Sequence, residues 1–195
     1  MKNKMFGKEE RKIIVGDLKA LKPMKSEKAT GFVAVIGEGD DAVSVAFFDN
    51  DKVSYTDRLE KSGIKKTLNK PIMIEYTEVG KINRGFRWEY AGSMLNLDEN
   101  TAVFFARVGS IKDGAKGQAQ ISVPVRRNKD ETDWYNLSAW NREANEEKGI
   151  KANNLADNAK KYLKKGDLVV LKVNGLKTLD NGMLVGSVLS FDKVF

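Results

Sequence analysis

The stretch "NNLADNAKKYLKKGDLVVLKVNGL", residues 153–176, passes from a segment of helical character into an apolar strand. One more strand-like segment, "GMLVGSVLSFD" (182–192), follows it. Apolar runs and period-2 alternation are the patterns of buried and half-buried strands. Three segments with these patterns precede the helix: "AVFFARVGSIK" (102–112), "AQISVPVR" (119–126) and "TDWYNLSAWN" (132–141). The second half of the chain therefore consists of three strands, one helix and two strands.

The first half of the chain repeats this order of elements. Its strand-like segments and its helical segment lie, in order, at 12–22, 30–37, 41–50, 54–68 (the helix), 70–79 and 86–98. The ends of the two halves also share a pattern, "AGSMLNLD" (91–98) and "VGSVLSFD" (185–192). Because identity between the halves is low, chance similarity of two β-rich halves stays an alternative to duplication.

Three strands, a helix and two strands are the element order of the OB-fold, a small five-stranded barrel. We predict a mainly β chain of two tandem OB-fold barrels, each with a helix between its third and fourth strands. A polar pair between two apolar runs gives the domains 1–98 and 99–195. Gly92 and Gly186 are expected where the fifth strand of each copy bends to close its barrel.

The composition of the 195 residues limits the possible classes of protein. Apolar residues make up 41%, as in a globular chain, and no apolar run is long enough to span a membrane. The start, "MKNKMFGKEERK", lacks the apolar centre of a signal peptide. We therefore expect a soluble, cytoplasmic protein.

Two residue types are absent from the sequence, which contains neither Cys nor His. This removes disulfides, thiolate zinc sites and the commonest general base. Carboxylates that could hold Mg²⁺ form no convergent cluster in the sequence, so we expect neither an enzyme nor a cofactor. The net charge of +7 favours a polyanion partner, although basic solvated surfaces are common.

The third strand of the second half carries two indoles on its polar face. Alternation puts Tyr135, Leu137 and Ala139 on the core side. The opposite face combines two large rings with two small polar residues: Trp134, Asn136, Ser138 and Trp140. Outward indoles leave apolar surface in water, and unpaired bases can cover them because every base has a π-face. A helix, a loop or a second subunit that covers these rings is the alternative.

Cations and small polar residues surround this face in the sequence. Some lie on the neighbouring strand and the turn after it, and others lie in the Gly-rich loop "IKDGAKGQAQ". Cations beside stacking platforms suit a phosphate backbone. Besides the indoles, the residues expected to bind nucleic acid here are Ser122, Arg126, Arg127, Lys129, Asn136, Lys112 and Lys116. A solvated hairpin tip and a merely mobile loop are the alternatives.

In the first half, the segment with the most candidate binding residues is "EVGKINRGFRWEY" (78–90), where cations and aromatics interleave. It does not correspond to the third strand. Alternation puts the three aromatics of this segment on one strand face, so a barrel core or a seam to the second half is the alternative to stacking. The residues expected to bind nucleic acid in this half are Phe48, Lys81, Arg84, Phe86 and Trp88. The basic start, 1–12, is a further candidate for contact with a phosphate backbone, although a frayed terminus is the simpler expectation.

The second half also resembles a known family. The stretches "ETDWYNLSAWNREAN" and "LADNAKKYLKKGDLVVLKV" are similar to the core of bacterial single-stranded DNA-binding proteins, and "KYLKKGDLV" with the upstream "TDW" is the more specific part. The resemblance covers about residues 100–191. It implies an OB barrel that binds single-stranded DNA without strong sequence preference, and it implies stacking roles for Trp134 and Trp140.

Two features depart from the family pattern. The hairpin stretch "LKTLDNGM" (176–183) lacks the aromatic often found there, and the chain stops at "SFDKVF" without an acidic C-terminal tail. Recruitment of enzymes through such a tail is therefore not expected.

We expect a protein that coats and protects single-stranded DNA in replication, recombination or repair. The absent tail, the divergent copies and the Lys- and Asn-rich composition hint at a phage or plasmid protein in a bacterial host cell. A homodimer and a monomer are both compatible with the sequence. A replisome accessory scaffold and an RNA-binding OB protein are the alternative functions.

Overall fold

The computed structural model describes most of the chain, namely residues 11–26, 29–62, 68–144, 147 and 151–194. The chain is mainly β, which confirms that prediction, and it divides into two compact units, Met1–Tyr90 and Ala91–Phe195. The division falls after Tyr90, whereas the sequence predicted it after Asp98. No helix in the described ranges is both long and apolar enough to cross a membrane.

The first unit contains five strands and a helix: β1 (Lys12–Lys25), β2 (Thr30–Ile36), β3 (Val43–Phe48), α1 (Tyr55–Ser62), β4 (Pro71–Val79) and β5 (Ile82–Tyr90). The strands form a closed barrel in the order β1-β2-β3-β5-β4. Among these described strands, β3 and β5 pair in parallel and the other neighbours pair antiparallel. The helix lies between the third and fourth strands, as predicted, and the end of the predicted helical segment, 63–67, lies outside the described residues.

The long strand β1 closes this barrel because it pairs on both sides. Its first residues pair with β4, and from Leu18 onward it pairs with β2. Inside the barrel, the rings of Phe32 and Phe47 stack with their centroids 4.9 Å apart. Gly31 permits the close approach of β2 and β3, since its φ is +146° and an added Cβ would lie 1.9 Å from the Phe47 carbonyl oxygen.

Helix α1 is fixed to the barrel at its start. The carboxylate of Asp49 accepts hydrogen bonds from the N–H and the hydroxyl of Thr56, at 2.9 and 2.6 Å. Burial acts to raise the pKa of Asp49, but the donated hydrogen bonds outweigh it and lower the pKa. Tyr55 and Leu59 are buried, and the Tyr55 hydroxyl donates to the Phe86 carbonyl at 3.0 Å. These contacts hold α1 against β5.

The second unit contains β6 (Ser93–Asn96), β7 (Thr101–Arg107), β8 (Ser110–Asp113), β9 (Ala119–Arg126), β10 (Thr132–Ala139), β11 (Asn141–Arg142), β12 (Asn153–Asn154), α2 (Leu155–Tyr162), β13 (Leu168–Thr178) and β14 (Leu184–Lys193). Seven strands form one sheet in the order β6-β7-β13-β14-β10-β9-β8, and β11 pairs with β12. This sheet has seven strands, so a second five-stranded barrel stays a prediction.

A sharp change of partner separates β7 from β8. The N–H of Val108 donates to the Asp167 carbonyl at 2.8 Å, next to β13, and the N–H of Gly109 donates to the Ser122 carbonyl at 2.7 Å, on β9. Two neighbours in the chain therefore bond to strands that lie far apart in the sheet order, so the sheet curves strongly here.

The segment 91–98 does not complete the first unit, and this prediction was wrong. The fifth strand of the first barrel ends at Tyr90, and β6 instead pairs antiparallel with β7, from Ser93 with Phe105 to Asn96 with Ala102. The carboxylate of Asp98 ties the connecting turn by accepting hydrogen bonds from the backbone N–H groups of Asn100 and Thr101. Pairing with β7 through a short turn satisfies the backbone hydrogen bonds of β6, and closing so short a loop costs little conformational entropy.

The two glycines of the shared pattern consequently lie in different settings. Gly92 has a φ of +95°, precedes β6 and accepts a hydrogen bond from the Arg126 N–H at 2.8 Å, so it does not bend a fifth strand. Gly186 lies inside β14, where an added Cβ would stand 2.7 Å from Val173 and 2.8 Å from Leu176. The similarity of letters between 91–98 and 185–192 is therefore not a similarity of position.

Candidate nucleic-acid interface

Strand β10 has one buried face and one open face, as its alternation predicts. Leu137 and Ala139 are fully buried, and Tyr135 meets Phe104 edge-on with ring centroids 4.9 Å apart. Burial, together with the nearby Asp133 charge, raises the pKa of the Tyr135 hydroxyl. On the other face, Trp134 is 53% exposed. One half of a large indole is thus available to a ligand.

The indole of Trp134 rests on the backbone of Gly109. A Cβ added to Gly109 would lie 2.5 Å from Cζ3 of the indole and 3.2 Å from the Ser122 carbonyl oxygen. Because Gly109 has no side chain, the Trp134 ring can pack directly against the Gly109 backbone. Gly109 was not among the residues predicted from the sequence, although a glycine inside a strand-like run is a known signal of close approach.

Small polar residues form the floor between the two indoles. Cross-strand pairing places Ser110, Ser122 and Asn136 side by side on β8, β9 and β10. Ser138 lies in the next row and pairs with Ser187 of β14. At the strand rise of about 3.3 Å per residue, the two indoles are separated by roughly 20 Å along the chain. The floor therefore offers hydroxyl and amide groups between two apolar platforms.

The second indole lies beside a groove that the sequence did not reveal. Trp140 is 41% exposed and borders a groove of about 350 Å³. The other lining residues include Arg142, Asn153, Asn174, Ser187 and Leu189.

The residue after Trp140 anchors this end of β10. The Asn141 amide donates to Asp157 at 2.8 Å and its carbonyl oxygen accepts the Ala156 N–H at 2.9 Å. Trp140 is thereby held at the start of α2.

The predicted cations at the β9–β10 turn differ in their pairing. Arg127 is bound to Asp133, with Nε and Nη2 at 3.1 and 2.9 Å from one carboxylate oxygen. Arg126 and Lys129 are exposed, and within the described ranges neither forms an ion pair. Because a paired cation has less charge to offer a phosphate, Arg126 and Lys129 are the stronger candidates.

The two predicted lysines of the Gly-rich segment 111–120 lie on the edge strand β8 and in the turn that follows it. Lys112 is exposed on β8 and borders a groove of about 430 Å³ with Lys164 and Lys165. Lys116 is exposed at the loop tip, and its N–H donates to the Gln118 side chain at 3.1 Å. Lys160 holds the loop by contacts with Asp113 at 2.6 Å and with the Gly117 carbonyl at 3.1 Å. The last three lysines of this cluster, 160, 164 and 165, were not among the predicted site residues.

In the first unit, an irregularity of β5 separates the predicted aromatics. Glu75 pairs with Arg87 and the next residue of β4 pairs with Gly85, so Phe86 is an extra, unpaired residue. Trp88 consequently turns to the core, where it meets Phe32 and Phe47 edge-on at 5.6 and 5.2 Å. Trp88 is therefore a packing residue first, and the expectation of an open stacking platform there needs this correction.

Phe86 has cationic neighbours instead. The guanidinium groups of Arg11 and Arg84 lie 5.3 and 6.0 Å from its ring centroid, within the range of cation–π contacts. Lys81 is exposed at the β4–β5 turn, and Phe48 is half-buried at the end of β3. The basic residues of segment 1–10 lie outside the described residues.

No group of three or more carboxylates in the described part of the chain is arranged to hold a metal ion.

No family model and no curated protein matches the sequence. Solved structures similar to this chain include Rim1, the mitochondrial single-stranded DNA binding protein of S. cerevisiae, at 19% identity over 50% of this chain and 95% of that one, with a TM-score of 0.34. The small single-stranded DNA-binding protein of Streptomyces coelicolor is similar at 17% identity, over 53% and 95%, with a TM-score of 0.31. The single-stranded DNA binding protein of Thermus aquaticus is similar at 12% identity, over 95% and 92%, with a TM-score of 0.33. Single-stranded DNA-binding proteins are thus found among the similar structures.

Proposed function

We propose that this protein binds single-stranded DNA without strong sequence specificity and protects it during replication or recombination. The open face of β10 carries the proposal, because Trp134 is exposed on it and Trp140, which directly follows the strand, is exposed as well, with Asn136 and Ser138 between them in the chain. Stacking on an indole is worth roughly 1–3 kcal/mol per base and tolerates any sequence. The protein performs no reaction on the DNA.

The surrounding charges support a contact with the phosphate backbone. Arg126 and Lys129 lie at one end of the face, and Lys112 lies on the edge strand β8, which pairs with β9. Cations that replace condensed counterions supply the sequence-independent part of the affinity. A floor of hydroxyl and amide groups gives hydrogen bonds but no dense pattern of donors for reading base edges.

We further infer that the second unit is itself an OB barrel, in tandem with the first. The order β7-β13-β14-β10-β9-β8 matches an OB-fold if β7 and β8 together count as the first strand. The opposite bonding of Val108 and Gly109 supports this inference. In this arrangement β6 is an additional edge strand.

Competition binding tests the proposed function. Labelled oligo(dT) is titrated with the full chain by fluorescence anisotropy, and unlabelled RNA and duplex DNA compete. We expect oligo(dT) to bind tightest and to quench the indole emission. Preference for RNA or duplex would reject the proposal, and binding without any change in indole emission would favour a scaffold whose indoles face protein.

The domain division is tested by two fragments. Residues 91–195 are expected to fold alone and to bind oligo(dT), because β6 stays paired with β7 and Leu95 stays buried. Residues 100–195 lack β6 and should unfold at a lower temperature. If fragment 91–195 is insoluble or inert, the division is wrong.

We also propose a cytoplasmic location in a bacterial host, where such a strand would be exposed, and an origin in a phage or plasmid. A homodimer stays a prediction that sedimentation of the purified chain would test.

A further inference from the structure

A groove of about 450 Å³ lies in the first unit between α1 and β5, and we name it the α1–β5 groove. Its size is within the range of about 300–1,000 Å³ that is usual for ligand sites. The lining residues that matter for its chemistry are Arg58 and Lys61 of α1 and Phe86, Arg87, Trp88 and Glu89 of β5. The open face of β10 in the second unit contributes none of them.

The residues that line the α1–β5 groove carry a net positive charge, and some of the described cations form no ion pair. Arg87 is paired with Glu89, so that carboxylate is neutralised. Within the described residues, Arg58 and Lys61 form no ion pair, and the Arg58 guanidinium lies 5.8 Å from the Tyr55 ring centroid. Two free cations on one helix thus face a wall with an anion that is already satisfied.

The wall of the groove that β5 forms is aromatic, and contacts with neighbouring side chains fix its rings. Trp88 is fixed by its edge-on contacts with core rings, and its half-buried indole still borders the groove. The Phe86 ring lies near the guanidinium groups of Arg11 and Arg84, and the Phe86 carbonyl accepts a hydrogen bond from the Tyr55 hydroxyl of α1 at 3.0 Å. The two walls are therefore kept in position by contacts that do not need a ligand.

We propose that the α1–β5 groove is a second binding site for single-stranded DNA, which takes one nucleotide unit of the strand. A phosphate lies between Arg58 and Lys61, and the base lies against Phe86 and the edge of Trp88. The combination of cations with aromatic surface is what binding of single strands requires. This inference rests on the proposed function, since it concerns the same ligand at a different place.

A chain with a single indole tests the groove directly. The protein contains three Trp residues, so replacing Trp134 and Trp140 by Phe leaves Trp88 as the sole reporter and keeps an aromatic ring at each of the two positions. Labelled oligo(dT) gives the anisotropy, and Trp88 gives its own emission in a parallel titration. We expect the Trp88 emission to change over the same protein-to-DNA ratios at which the anisotropy rises.

The matched variants remove two charges in each case. In Arg58→Gln/Lys61→Gln the Trp88 change should disappear while oligo(dT) still binds, and the slope of log K against log salt should become less negative by about 0.7, because one phosphate contact is lost. In the control Lys22→Gln/Lys52→Gln, exposed lysines of the same unit are neutralised, and the Trp88 change should persist. The salt slopes are also measured with both native indoles in place, so the test survives if the single-indole chain folds poorly.

Three results would overturn the inference. Saturation of the anisotropy with constant Trp88 emission would mean that the groove stays empty. An equal Trp88 change in the Arg58/Lys61 variant would mean that the ring responds to binding elsewhere. A Trp88 response to an oligoglutamate peptide but not to oligo(dT) would assign the groove to an acidic protein partner. Failure of the anisotropy itself would instead reject the proposed function.

Discussion

Replacing Trp134 by leucine removes the π-face of the side chain but keeps an apolar group over Gly109. The open half of the indole is the part offered to a base, since Trp134 is 53% exposed. The other half is packed on the backbone of Gly109. A variant that loses only the open half of this interaction separates binding from folding.

The magnitude follows from the exposed area. A tryptophan side chain can bury up to about 250 Å², so its open half amounts to roughly 130 Å². At about 25 cal/mol per Å² this sets an upper limit near 3 kcal/mol, which agrees with roughly 1–3 kcal/mol for stacking of one base. Trp134→Leu should therefore raise the Kd for oligo(dT) by about 5- to 160-fold.

Alanine at position 134 is a less informative change. It also removes the packed half of the ring, which costs up to about 3 kcal/mol of folding free energy by the same area estimate. Leucine retains much of that contact, and phenylalanine retains a π-face. The three variants thus rank differently for stability and for binding, and that difference makes them a test.

The assay is anisotropy of labelled oligo(dT) at fixed salt, with thermal unfolding of each variant measured in the same buffer. Stacking predicts that Trp134→Phe binds nearly as well as the native chain, while the leucine and alanine variants bind weakly. If the leucine variant binds like the native chain, or if affinity simply follows melting temperature, the stacking role of Trp134 is refuted.

Gly109→Ala would place a methyl carbon 2.5 Å from Cζ3 of Trp134, so we expect the ring to be displaced, oligo(dT) to bind several-fold more weakly and stability to fall by about 1–3 kcal/mol; native values in both assays would show that the indole does not need this seat. Arg126→Gln should reduce the slope of log K against log salt by about 0.7, whereas Arg127→Gln should reduce it less because its guanidinium is already paired; equal reductions would contradict the assignment. The hydrogen bonds that lower the pKa of Asp49 below its ordinary value of 3.8 stabilise the fold above that pH and are lost as the pH falls through the lowered pKa. Asp49→Asn should therefore reduce stability at neutral pH and weaken the acid dependence of unfolding below about pH 3.8, and an unchanged acid profile would contradict this role.

The open face of β10 could be predicted from sequence because its pattern is local and strict. One face of the strand meets the core, so a shift by one residue would bury Trp134 and expose Leu137, at a large cost. Burial of Leu137 and exposure of Trp134 confirm that register. The same reasoning gave the order of strands and helix in the first barrel.

Local patterns could not show how β5 would pair. Alternation placed Phe86 and Trp88 on one face, but the extra residue at Phe86 changes the parity of the strand, and only its partner β4 reveals this. The packing of Trp134 on Gly109 likewise joins residues that are distant in the chain. The segment 91–98 could pair either with the first barrel or with β7, and pairing with β7 requires only a short loop.

The two units place their aromatic side chains differently, and this bears on how each would hold a strand. In the first unit, Phe32, Phe47 and Trp88 pack against one another inside the barrel. In the second, Trp134 and Trp140 stand outside a mainly aliphatic core. Stacking is weakly screened by salt, whereas phosphate contacts are lost as salt rises. The Trp88 emission change should therefore vanish at a lower salt concentration than the anisotropy of bound oligo(dT), and simultaneous loss would show that the two units bind by the same mixture of forces.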